Sequence, residues 1–167
     1  SLGGVVSGGV SLGGVVSGGV AMVEPEMRIR FAETSSVPAV LYEPLVARLT
    51  QPAVDLPVAQ AAATIGVSFE RSTLSASLGR SEASVEAAVD ALIDAGVVER
   101  SGPGAYHFRH ALIRDIAYDL QPRADRREMH RRVGEALRAR HREGEPGSWA
   151  VIALHLHLAG EVDAAVD

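Results

Sequence analysis

The sequence predicts a mainly helical fold: a winged helix, made of three short helices and a two-stranded β-ribbon, followed by further helices. Three observations carry that expectation. Aromatic residues are only 4% of the chain against 47% hydrophobic residues, so Ala, Val and Leu must fill the core, and small aliphatic side chains suit closely spaced helices. Beyond Asp55, apolar residues recur at three- and four-residue spacing, with capping and turn residues between the runs. The period breaks at residues 97 to 109, where β-branched and aromatic residues flank Ser101, Gly102, Pro103 and Gly104, the pattern of a hairpin.

Residues 1 to 20 are SLGGVVSGGV written twice, with no charge. So much glycine opposes a helix and so few large side chains cannot nucleate a core, so a disordered tail is expected. The segment is long enough to cross a bilayer, but its glycine content and lack of flanking Arg argue against a span, and no positive region precedes it as in a signal peptide. Residues 21 to 52 form a lead-in segment. Met27, Ile29 and Phe31 alternate as in one isolated strand. Residues 39 to 50 look helical, with Leu41, Leu45, Val46 and Leu49 on one stripe and Pro44 either in the first turn or bending the helix.

The winged helix is expected over residues 53 to 110. Asp55 caps and Pro57 opens a short helix over Val58 to Ile65, ended by Gly66. Ser68 is expected to cap a second helix running through Leu74 and Leu78 to Gly79. Ser81 caps a third, with Val85, Ala88, Val89, Leu92 and Ile93 as its apolar stripe and Gly96 at its end. The ribbon follows, with Val97 to Arg100 pairing Ala105 to Arg109, Tyr106 and Phe108 on one face and His107 and Arg109 on the other. The third helix carries Glu82, Glu86, Asp90 and Asp94 and no Arg. A DNA reader would place its base-contacting residues there, and an acidic helix is repelled by a duplex bearing one charge per ~1.7 Å, so a protein partner is the stronger expectation.

From residue 110 to 167 a helical region follows. Leu112, Ile113, Ile116, Ala117 and Leu120 make an amphipathic helix that opens near His110 and stops at Pro122. The ribbon thus delivers His110, beside Arg109, to a helix N-terminus, where unpaired N–H groups and partial positive charge favour an anion. On spacing alone, a histidine at such a junction is more often an ordinary packing residue. Residues 123 to 142 are rich in Arg, with Met129, Val133, Ala136 and Leu137 as the buried stripe. Their charge suits a solvated face with internal ion pairs, an acidic protein surface, or nucleic acid. Ser148 is expected to cap a last helix through Trp149, Ile152, Leu156 and Leu158. His155 and His157, two apart, face different ways and are not expected to share a metal. The chain stops within an element, as a fragment would.

Composition narrows the chemistry. There is no Cys, so neither a disulfide framework nor a thiolate metal site is available and a cytoplasmic home is the default. All 16 basic residues are Arg; without Lys the chain cannot hold a GxxxxGK[ST] loop. Net charge is −5, against a general nucleic-acid binder. No nucleophile arrangement, HExxH or carboxylate pair is present, so no enzymatic activity is expected.

From about Val37 to Asp167 these residues resemble the C-terminal part of STAND-type signalling ATPases, the AAA+-related regulators that accompany LuxR-type transcription factors and class III adenylate cyclases. VPAVLYEPLVARL is similar to the family's lead-in helix, VAQAAATIGVSFERSTLSASLG to its first winged-helix pair, and VEAAVDALIDAGVVER to its third helix and wing. FRHALIRDIAYDL with RREMHRRVGEAL is the most specific part, and ALHLHLAGEVDAAVD resembles the opening of a tetratricopeptide-like array. FRHALIRD is similar to the Met-His-Asp motif of related NB-ARC proteins, whose histidine contacts the β-phosphate of ADP, a role that falls here on His110; Ala111 stands where that motif has Asp. The resemblance implies a non-catalytic regulatory fragment that senses ADP or ATP held by a nucleotide-binding domain of the same parent protein. Protein partners would dock on the helical array, with no membrane involved. The alternative is a free-standing winged-helix DNA-binding regulator that uses the Arg-rich helix for phosphate contacts.

Overall fold

The structure, a computed structural model, describes residues 39–144 and 147–160. The expected tail over residues 1 to 20 and the strand through Met27, Ile29 and Phe31 lie outside them. Within the described residues the protein is mainly helical, with seven helices and one small three-stranded antiparallel sheet. The elements in order are α1 (Ala39–Leu49), α2 (Leu56–Ile65), β1 (Ser68–Glu70), α3 (Arg71–Leu78), α4 (Glu82–Asp94), β2 (Val98–Gly102), β3 (Ala105–Phe108), α5 (Ala111–Asp119), α6 (Arg123–Arg142) and α7 (Trp149–Ala159).

Most elements form for the expected local reasons. The Asp55 carboxylate accepts from the Val58 N–H to cap α2, and Ser81 Oγ accepts from Ser84 N–H to cap α4. Gly96, at φ +70°, turns the chain out of α4 while Val97 N–H reaches back to the Leu92 carbonyl. Pro44 lies inside α1, not in its first turn.

Two expectations are corrected. Ser68 does not cap a helix: it begins β1, whose Phe69 is buried between exposed neighbours, and α3 starts three residues later. The ribbon is accordingly a three-stranded sheet in the order β1-β3-β2, with Phe69 opposite Tyr106 and Arg100 opposite Tyr106 on the other side. The cause is β3, whose free edge would otherwise leave N–H and C=O groups unpaired; Val67 supplies a further carbonyl to Phe108 N–H at 2.9 Å. Phe69 and Tyr106 then stack with centroids 5.6 Å apart.

One core joins these parts. Val58, Leu74, Val85, Val89, Leu92 and Val97 from the first half meet Phe108, Ile113, Ile116 and Ala117 from the second. Further on, α6 and α7 form an antiparallel hairpin, with His141 meeting Trp149 at one end and Gly134 close to Leu156 further along. The buried residues of α7 are Ile152, His155 and Leu156, whereas Trp149 and Leu158 are exposed, and the Ser148 side chain, expected to cap this helix, makes no cap bond. Among the described residues no helix is long and apolar enough to cross a membrane.

Candidate functional site

The junction of β3 and α5 is built as the alternation requires. Tyr106 and Phe108 point into the core, and His107 and Arg109 stay on the outer face. Arg109 N–H donates to the Val97 carbonyl at 3.1 Å, which locks the end of β3 to the start of β2. His110 follows with extended backbone (φ −138°, ψ 133°) as the residue before α5. Its carbonyl accepts from Ile113 N–H at 3.0 Å, while its imidazole caps no amide and lies exposed. Below it, Ile113, Ile116 and Ala117 anchor α5 in the core, and Arg114 Nε donates to the Ala63 carbonyl at 2.9 Å. A free imidazole therefore sits on a rigidly held helix tip.

Arg109 has two engagements. Its Nε donates to Glu99 at 2.6 Å, and that hydrogen bond, with the Arg109 charge and the neighbouring His107, holds the Glu99 carboxyl below the usual range. Its Nη1 and that of Arg48, from the last turn of α1, each lie 3.5 Å from where a Gly96 Cβ would stand. The two guanidinium nitrogens are thus no farther apart than twice that distance. Two like charges on one face favour an anion, and it is the positive φ of Gly96, not a lack of room for a Cβ, that calls for glycine there. Arg48 was not singled out by sequence reasoning, since nothing local links it to a residue 61 positions later.

Beneath the junction lies a second arrangement that spacing did not reveal. Tyr118 Oη and His130 Nε2 are 2.8 Å apart, and His130 Nδ1 and His155 Nδ1 are 2.9 Å apart, so one hydrogen-bonded chain joins α5, α6 and α7. Both histidines are buried. Burial, then the neighbouring His155, Arg126 and Arg114, push His130 down to about 4, and burial with Arg114 lowers His155 as well. Both rings are neutral near pH 7, so one Nδ1 must donate and the other accept. His130 extends the buried side of α6 beside Met129, a signal that its helical position carried, but its partner across the hairpin was invisible. His155 and His157 do not converge: His155 is buried and His157 exposed.

The acidic face of α4 is compensated from within. Arg71 bonds Glu82 at 2.9 Å and Glu86 at 2.8 Å, and Arg100 pairs with Asp90 and lies 3.8 Å from Glu86. On α6, Glu128 is held by Arg131 and Arg132, which lower its carboxyl to about 2, and Arg131 also meets Glu135 at 2.5 Å. Much of the charge on both helices is therefore spent locally. Among the described residues no group of three or more His, Asp or Glu could hold a metal ion. No family model, characterised protein or solved structure matches this chain.

Proposed function

We propose that this chain is the regulatory part of an ATP-dependent signalling or transcription regulator. In this reading α2 to β3 form a winged helix, the α6–α7 hairpin opens a tetratricopeptide-like array, and the protein works in the cytoplasm without catalysing a reaction itself. Its role is to read the state of a nucleotide held by a neighbouring domain. The observation that carries the reading is the exposed His110 imidazole on the tip of α5, with the guanidinium of the preceding Arg109 and that of Arg48 from α1 both near Gly96. Imidazole, helix N-terminus and guanidinium each favour a phosphate. The resemblance of FRHALIRD to a motif whose histidine meets the β-phosphate of ADP points the same way.

ADP bridging the nucleotide-binding domain to His110 would hold the closed arrangement, and exchange for ATP would release it. Such a ligand shifts the population only by its difference in affinity for the two states. A charge-assisted contact contributes ~1.5–3 kcal/mol, so removing it weakens ADP retention roughly 10- to 100-fold. Ala111, where the related motif has Asp, offers no side-chain hydrogen bond to add.

The test is the protein produced with its complete reading frame. A Walker A loop encoded upstream and faster ADP loss from His110→Ala are expected. An upstream frame without a nucleotide-binding domain, or ADP loss unchanged by the substitution, would reject the proposal. The DNA-binding alternative gains nothing from α4, where Glu82, Glu86 and Asp90 are bonded to Arg71 and Arg100 and no Arg is carried by the helix itself.

A further inference from the structure

A cavity of about 360 Å³ lies at the seam between the sheet with α3 and the α6–α7 hairpin. Phe69 and Tyr106 line it from the sheet, Leu137 from α6 and Ile152 from α7, with Thr73 and Arg140 among its polar lining. That volume falls within the ~300–1,000 Å³ of small-molecule sites, and mainly apolar walls with a few polar groups are their usual composition. Two further observations single it out. Of the four described residues with a buried side-chain polar atom lacking a hydrogen-bond partner, two are among those lining this cavity: Tyr106, whose hydroxyl is unpaired, and His141, whose Nδ1 is. Buried unpaired polar atoms are costly, and a folded protein carries few of them. The other is the guanidinium of Arg140, which donates to the Thr73 hydroxyl and, at 2.6 Å, to the Glu70 carboxylate.

The Glu70 contact indicates the ligand's chemistry. Both residues line the cavity, and the Arg140 side chain is 21% exposed against 56% for Glu70, so the guanidinium is the more deeply held and the carboxylate meets it at the open rim. An ion pair with so exposed a partner is worth ~0.2–1 kcal/mol, and a second carboxylate can replace it at little cost. We infer that the seam binds a small monocarboxylate with an apolar body, its carboxylate taking the place of Glu70 on Arg140 and its body lying against Phe69, Tyr106, Leu137 and Ile152. Arg140 disfavours an apolar cation there, and a neutral ligand forgoes the charged bond. Bound ligand spans both halves of the seam and stabilises their packing in proportion to its occupancy. This site is separate from the nucleotide reading and does not depend on it.

Octanoate, below its micellar range, is a suitable probe of the whole chain by calorimetry and amide NMR, with octyltrimethylammonium as the comparator. Expected are saturable octanoate binding that shifts the amides of Phe69, Tyr106, Leu137 and Ile152, and weaker binding of the cation. Arg140→Gln should weaken octanoate at least roughly tenfold, as loss of a charged hydrogen bond requires. Glu70→Gln, which removes one internal competitor, should tighten it ~1.4- to 5-fold. Val151→Trp, at an exposed lining position, should block binding without altering the far-UV spectrum, and it decides the matter with Glu70→Gln if Arg140→Gln fails to fold. No octanoate binding, equal binding of the cation, or affinity indifferent to Glu70→Gln and Val151→Trp would overturn the assignment.

Discussion

Acid should loosen the junction of α5, α6 and α7, and the size of the effect follows from His130. That imidazole titrates at about 4 in the folded protein and near 6.5 when exposed. The unfolded chain therefore takes up the proton first, so stability is complete above about pH 6.5 and is lost as pH falls toward 4. Between pH 7.5 and pH 5.0 the two titrations differ by about 2 kcal/mol, at ~1.4 kcal/mol per pKa unit. His155, lowered by burial and by Arg114, acts in the same direction. Arg114 and Arg126 face His130 and offer its proton no compensation. Above pH 5 the carboxylates interfere little. Glu99 and Glu128, held low, lose their contribution only around and below the ordinary 4.5. Asp119, raised by burial, works in the opposite sense. Urea unfolding followed by far-UV circular dichroism at both pH values, for the wild type and for His130→Phe/His155→Leu, measures the difference. The double variant should lose about 2 kcal/mol less over that interval. Equal losses in the two proteins would refute the buried, neutral pair.

Other perturbations probe the packing and the site. Gly134→Ala places a Cβ 2.8 Å from Leu156 Cδ2 and 3.1 Å from Cγ; the crowding of ~1–3 kcal/mol should outweigh the ~1 kcal/mol helix gain. Faster amide exchange over Trp149–Ala159 would show it, and a stabilised α7 would contradict the close packing. Asp55→Ala removes the α2 cap and the 2.5 Å contact with Arg80 and should cost ~1 kcal/mol in urea unfolding. Asp55→Asn, which keeps a capping oxygen, should cost only a few tenths. His110→Ala should leave thermal stability within ~0.5 kcal/mol because the ring is exposed and caps nothing; a larger loss would mean the ring supports the fold.

Local chemistry made most helices legible. Asp55, Ser81 and Gly96 act where their residue types suggested, and the alternation of Tyr106 and Phe108 placed the right side chains inward. Ser68 misled because a serine before an apolar run is a common cap, whereas β3 needed an edge partner that only the folded chain reveals. The position of His110 on a helix tip was readable, since a change of period marks that boundary. The company around it was less so. Arg48 reaches Gly96 from α1, and His130 meets His155 across a hairpin; both depend on tertiary approach. On α4 the acids suggested an exposed negative face, but Arg71 and Arg100 fold over it.

In the proposed function the tip of α5 receives a diphosphate. Titrating this chain with inorganic pyrophosphate at low salt, and following the His110 side chain and the Ala111 and Leu112 amides by NMR, tests it most directly. These signals should move together and saturate, His110→Ala should weaken the response, and added salt should reverse it. Shifts confined to the Arg-rich α6, with His110 and the first turn of α5 unmoved, would contradict it.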